Sequence, residues 1–287
     1  MAGQIRVGMA GWVYPDWRGT FYPAGLTQKR ELEYASRHVT SIELNGSFYS
    51  LQKPTSWLSW RDATPDDFVF AVKAPRFITH IRRLDDVAEP LSNFFASGIL
   101  ALGAKLGPIL WQLPPSQEFE PFLLERFFSL LPHDTTAAAA LAAKRSDRMH
   151  GSEYLLTDAH RTVRHAIEVR HHSFASPEFT ELARGHGIAI VYGDSDSRWP
   201  VIDERTADFR YARLHAHTSL HPHGSYDGDG IAEWAERTVT WSRSGDDVFV
   251  YFDDDSKVRA PHDAQSLLAA LQPDVSNVLH HRDDDIS

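Results

Sequence analysis

Eight apolar runs, each ending on polar or charged residues and nearly all followed by a helical stretch, constrain this chain more than any other feature. They occupy residues 5–12, 41–45, 68–75, 108–115, 165–174, 188–194, 209–215 and 248–254. Strands and helices that alternate along a chain build a parallel sheet, and eight such units close a (β/α)₈ barrel. The fifth run shows the pattern most sharply. Ala166, Ile167 and Val169 are apolar, yet Glu168, Arg170, His171 and His172 end the run. Residues two apart in a strand share a face, so Glu168 and Arg170 point the same way. In a buried parallel sheet that face is interior, where charges are rare unless paired or used. An open doubly wound sheet is the competing architecture, but Gly8-Met9-Ala10-Gly11 lacks the spacing of a Gly-rich phosphate turn.

Helices are expected at about 28–37, 54–62, 90–102, 118–131, 177–187, 229–243 and 261–271. Thr27, Ser176 and Asp229 are the expected N-caps, and Pro177 takes a first helical position. Residues 133–161 turn Ala-rich and then charged. They read as a long insertion between strands 4 and 5, a surface helix over 136–145 plus an exposed connection with little core potential. The link from Ser195 to Asp208 is too short for a crossover helix. The expected fold is therefore an α/β, slightly irregular TIM-type (β/α)₈ barrel over residues 1–273, with a polar tail at 274–287.

Composition narrows the function classes. Hydrophobic residues at 42% and charged residues at 24% suit a sizeable globular core. A formal net charge of −10 disfavours broad nucleic-acid or anionic-membrane binding. With no Cys there are no disulfides or zinc thiolates, which fits a cytoplasmic protein. The N-terminus lacks a signal-peptide pattern, and no run reaches the roughly 18 apolar residues of a membrane span.

Seven ordered motifs then carry a family likeness. They are Gly11-Trp12-Val13-Tyr14-Pro15-Asp16-Trp17 with Phe21-Tyr22-Pro23, Ile42-Glu43-Leu44-Asn45 with Ser47-Phe48-Tyr49, and Phe70-Ala71-Val72-Lys73-Ala74-Pro75-Arg76. After them come Gly107-Pro108-Ile109-Leu110-Trp111-Gln112-Leu113-Pro114-Pro115, Glu168-Val169-Arg170-His171, Arg213-Leu214-His215 and Tyr251-Phe252-Asp253-Asp254-Asp255. In this order the chain resembles the YecE-like family, domain-of-unknown-function family 72, from about Ile5 to Leu271. The resemblance implies a TIM-type barrel and no particular activity. Where the family usually has Asn-Asn after the last aromatic pair, this chain has Asp253-Asp254, which adds negative charge.

Barrel function sits at the C-terminal ends of strands. Those ends carry Glu43, Asn45, Lys73, Gln112, Glu168, Arg170, Asp194, Arg213, His215 and Asp253. Glu168 is the first choice for acid–base work, with Glu43 as second carboxylate and His215 as proton partner. Lys73, Arg170 and Arg213 would clamp an anion, since guanidinium forks match phosphate and carboxylate. Asn45, Gln112, Trp12, Tyr14, Tyr49, Asp194 and Asp253 complete the expected ligand-binding set. The expected partner is a small anionic, phosphorylated ligand, and neither cofactor nor resident metal is expected.

Competing readings use the same residues. A glycosidase would pair Glu43 with Glu168 and stack sugars on Trp12, Tyr14, Trp17, Phe48, Tyr49 and Trp111. A metal-dependent phosphoesterase would ligate through Glu43, Glu168, Asp194, His215 and Asp253, against the interleaved cations. The run His215, His217, His221, His223 lies in a Gly/Pro/Ser loop and reads as solvated. A non-catalytic nucleotide or nucleic-acid binder, or a self-neutralising ion network closing the barrel top, accounts for the charges without chemistry.

Overall fold

The computed structural model describes residues 2–195, 198–215, 226–253 and 258–275, with backbone alone for 272–275. Nine parallel strands form a nearly closed barrel: β1 (Ile5–Ala10), β2 (Ser41–Leu44), β3 (Val69–Lys73), β4 (Leu106–Gln112), β5 (His165–Glu168), β6 (Ala189–Ile190), β7 (Tyr192–Asp194), β8 (Phe209–Leu214) and β9 (Asp247–Phe252). The hydrogen-bonded order is β6-β5-β4-β3-β2-β1-β9-β8-β7, so both ends of the list belong to one stretch of chain. The expected sixth strand is split at Val191. Its first part pairs with β5 and its second with β8, so a strand that changes partner completes the ring. Thr206 substitutes for a neighbouring strand at the change: its hydroxyl accepts from Ile190 N at 3.1 Å and donates to Ile188 O at 2.7 Å.

The helices are α1 (Glu31–His38), α2 (Gly46–Tyr49), α3 (Pro54–Asp62), α4 (Ala88–Ala96), α5 (Pro121–Ser129), α6 (Thr135–Ala142), α7 (Pro177–Gly185), α8 (Gly228–Arg243) and α9 (Ala260–Val275). Ser176 caps α7 through Phe179 N, with Pro177 in the first turn, as the sequence predicts. Two caps differ. A 3₁₀ turn, Gln28–Arg30, separates Thr27 from α1, and its side chain makes no capping bond. Asp227, not Asp229, caps α8 by accepting from Gly230 N at 2.8 Å.

The insertion is also more structural than its composition suggests. Ala138 and Ala142 of α6 are wholly buried, and α6 packs against α4. An Ala-rich face lets two helices approach closely, and small side chains bury no less completely than large ones. The expected tail begins inside α9, which runs to Val275; residues 276–287 lie outside the described residues. Among the described residues, no helix is long and apolar enough to cross a membrane.

Two apolar layers result. The larger fills the space between strands and helices. The smaller lies within the barrel and mixes Ala71, Leu110, Ala166, Ala189 and Val191 with the rings of Phe209, Tyr211, Phe249 and Tyr251. Small residues on one wall and aromatics on the other fill the interior without a channel.

Candidate functional site

Strand periodicity lifts the polar residues directly above this inner layer. Two residues beyond Ala71, Leu110, Ala166, Tyr211 and Tyr251 come Lys73, Gln112, Glu168, Arg213 and Asp253. Glu43 stands two beyond Ser41, whose hydroxyl meets Tyr251 Oη at 2.6 Å within the same interior. A period of two therefore converts an apolar floor into a charged upper layer in a single step.

Arg213 is its hub. The side chain is fully buried, and all three guanidinium nitrogens are engaged. Nε and Nη2 donate to the two carboxylate oxygens of Glu43 at 3.0 and 2.9 Å. Nη1 donates to Glu168 Oε2 and to Gln112 Oε1, and Nη2 also lies 2.7 Å from Asp253 Oδ1. Burial works against the Arg213 charge, but Asp253, Glu168 and Glu43 together hold its pKa well above the ordinary value. One cation shared among three carboxylates leaves them unequal. Burial pushes the Glu43 carboxyl up, with Asp253 adding to the effect, against the pulls of Arg213, Lys73 and the Tyr211 hydroxyl. Burial also pushes Glu168 up, but Arg213 and Arg170, with smaller pulls from His215 and Lys73, drive it well below the usual carboxylate range.

Arg170 and Lys73 stand closer to solvent. Arg170 Nε donates to Glu168 Oε1 at 2.6 Å and Nη2 to Gln112 Oε1 at 3.0 Å, while Nη1 has no partner among the described residues. Its guanidinium lies over the Trp199 ring, 3.9 Å from the centroid. The same indole packs edge-on to His215, with ring centroids 5.3 Å apart. The Lys73 ammonium sits 4.5 Å above the centre of the Phe48 ring and makes no ion pair with a described residue. Burial, reinforced by Arg213, lowers its pKa despite the nearby carboxylates. His80, which packs on the other side of the site against Phe48, is lowered to about 4 by burial and by Lys73, Arg76 and Arg170.

His215 continues the inward face of β8. Its Nδ1 is 3.3 Å from Asp253 Oδ2, and Nε2 is buried without a hydrogen-bond partner among the described residues. Burial lowers its pKa, and Asp253 opposes that shift less strongly. Asp253 thus joins two groups, Arg213 through Oδ1 and His215 through Oδ2.

Glu43, Lys73, Gln112, Glu168, Arg170, Arg213, His215 and Asp253 therefore come together. Asn45 flanks α2, and its Oδ1 is likewise buried without a partner among the described residues. Other expected residues stand apart. Asp194 accepts from Tyr226 Oη at 2.6 Å and is absent from the Arg213 network. Gly193, two residues beyond the inward Val191, holds the corresponding interior position and offers no side chain. Tyr14 donates to Ala10 O at 2.5 Å and lies against Trp17; Trp12 packs edge-on to Trp60. Tyr49 is 71% exposed, beside the mouth. Trp199 was not among the expected residues, because it lies in the aperiodic link after the split strand. His217, His221 and His223 fall outside the described residues. Among the described residues, no group of three or more His, Asp or Glu is arranged to hold a metal. Glu43, Glu168 and Asp253 converge instead on the Arg213 guanidinium.

The model of the family "Protein of unknown function DUF72" matches residues 6–285. The chain belongs to the DUF72 family. Among curated relatives, it is similar to the UPF0759 protein YecE of Escherichia coli K12, at 34% identity over 113 residues, 38% of each chain. Likeness to the UPF0759 protein YunF of Bacillus subtilis is 32% over 116 residues, 39% of this chain and 40% of that one. The matched segment thus spans under half the length of either relative. Two solved DUF72 structures share the fold. One, from Thermotoga maritima, has a TM-score of 0.73 at 24% identity, covering 94% of this chain and 99% of that one. The other, from Enterococcus faecalis, has a TM-score of 0.71 at 17% identity, covering 94% and 96%.

Proposed function

We propose that the mouth of this DUF72 barrel is an acid–base, hydrolase-like active site for a small anionic, phosphorylated ligand. The observation that carries the reading is His215, held by Asp253 at Nδ1, with a buried Nε2 that has no partner among the described residues. A pKa below the ordinary value keeps the imidazole neutral near neutral pH, so Nε2 can accept a proton from water or a ligand hydroxyl. Asp253 fixes the tautomer and stabilises the imidazolium that forms. Arg170 Nη1 and Lys73 Nζ supply unpaired donors for the anion, and Trp199 holds Arg170 and His215 side by side.

The roles of three residues change from the sequence expectation. Glu168, depressed by two guanidiniums, has no proton to give near neutral pH and is a weak base, so it positions Arg170 and Arg213. Arg213 has no free face for a ligand and orders the carboxylates instead. Glu43 lies wholly buried against Tyr211 and Arg213, away from direct contact with substrate. The glycosidase reading loses two of its six stacking faces, since Trp17 and Trp111 are fully buried. The closed Arg213 network favours one second reading, a binder without turnover. The absence of Cys and the acidic balance support a cytoplasmic location.

The test is phosphate release from a panel of small phosphate esters by wild type and His215→Asn. Turnover lost in His215→Asn with binding retained supports the reading. Undiminished turnover in that variant overturns it, and wild-type binding without turnover selects the binder.

A further inference from the structure

Beside the mouth runs a groove of about 580 Å³, lined by Phe48, Tyr49, Leu51, Phe77 and Met149 among others. That volume far exceeds a bare oxyanion and falls in the range of small-molecule sites. Its apolar lining is not hidden: Tyr49, Leu51 and Phe77 are 71%, 40% and 50% exposed. Large apolar side chains clustered in this way mark a binding surface rather than a core. Met149 adds a flexible, polarizable wall that adapts to an apolar guest.

The charges along the groove cancel. Arg82 pairs with Asp86 at 2.6 Å and Arg148 with Glu89 at 3.1 Å, so the rim selects neither sign. The backbone that carries one wall is strained. Phe77–Ile81 forms a π-helical turn, and Arg83, Leu84 and Asp86 have φ of 51°, 68° and 49°. Those three are most of the non-glycine residues with positive φ among the described residues, which add only Val258. Leu84 and Val87, both 1% exposed, anchor the segment from below while Phe77 and Ile81 are held outward. π-turns and backbone held in sparsely populated conformations concentrate at functional sites.

Phe48 joins the groove to the mouth. Its ring lines the groove and also lies under the Lys73 ammonium at 4.5 Å. We infer that the groove is the second half of one ligand site and takes an uncharged aromatic group attached to the anion held at Lys73 and Arg170. The inference rests on the anionic reading of the mouth and deepens it: the ligand class is an aryl or heteroaryl phosphate. The anion docks on the two free cationic donors, and the ring lies across Phe48 toward Phe77 and Tyr49.

The experiment is calorimetric titration with methylphosphonate, phenylphosphonate and 1-naphthylphosphonate, which have no ester bond to cleave. Wild type should bind the aryl compounds about tenfold or more tighter than methylphosphonate, as burial of a ring requires. Phe77→Ser, at a half-exposed position, and Tyr49→Ser should each remove most of that gain while leaving methylphosphonate affinity unchanged. Equal affinities across the wild-type series overturn the groove and leave the anion site standing. Unchanged aryl affinity in both variants also overturns the groove. Absence of binding by all three compounds overturns the anionic mouth together with the groove.

Discussion

Arg213 grips Glu43 with two nearly parallel hydrogen bonds, Nε to Oε2 at 3.0 Å and Nη2 to Oε1 at 2.9 Å, in a barrel interior from which both side chains see no solvent. Removing the cation leaves three carboxylates facing one another and strips buried Glu43 of its ion-pair partner among the described residues, with Arg170 still paired to Glu168. Arg213→Ala should therefore cost about 3–5 kcal/mol of folding stability. Arg213→Lys should recover little of it, because an ammonium cannot reproduce the fork that engages Glu43, Gln112, Glu168 and Asp253. Urea unfolding of both variants checks this, and near-wild-type midpoints would show the hub to be dispensable.

His165 gives the fold a defined acid response. Trp111 Nε1 donates to its Nδ1 at 3.1 Å, so the ring proton sits on Nε2 and is donated to Pro132 O at 2.8 Å. Burial, with His133 adding, lowers its pKa to about 3 against the pull of the Pro132 carbonyl. The unfolded chain takes up a proton below the ordinary value of 6.5, whereas the folded chain waits until about 3. Between those limits the unfolded state binds more protons, so stability falls as pH falls, at most by about 1.4 kcal/mol per pH unit from this group. His80, lowered to about 4, acts in the same direction. Thermal unfolding from pH 7 to pH 4 should show the decline, and a flat profile would contradict it.

Asp253 should set both the orientation and the charge of His215. Among the described charges it is the main one favouring the imidazolium, so Asp253→Asn should move the His215 titration further below 6.5. The substitution also removes an ion-pair partner from Arg213. Ring proton NMR of wild type and Asp253→Asn across pH 4–8 reads this directly. An upward shift in the variant would mean that Asp253 does not face the ring as its 3.3 Å approach implies.

The charged layer of the barrel mouth was legible where regular strands carry it. Listing the polar residues at the strands' C-terminal ends named Glu43, Lys73, Gln112, Glu168, Arg213 and Asp253, all of which rise from the same interior face. Asp194 escaped that logic because the inward position on its strand belongs to Gly193, and the strand breaks at Val191 to change partners. Trp199 lies in a link with no repeat, so nothing in its spacing reveals that it stacks on Arg170. The division of labour among the carboxylates was not legible either. It depends on how many guanidiniums each one meets across the barrel, a property of three-dimensional convergence rather than of residue type. In the same way, α6 looked like surface because its composition is small and mixed, and only its packing against α4 buries Ala138 and Ala142.

The most direct measurement is calorimetric titration of inorganic phosphate into wild type and Arg170→Ala at low ionic strength. Saturable one-site binding by wild type, weakened at least about tenfold in a folded Arg170→Ala, is the expected result, since a charge-assisted bond contributes roughly 1.5–3 kcal/mol. Equal affinity in the two proteins, or no phosphate binding by wild type, would contradict an anion site at the barrel mouth.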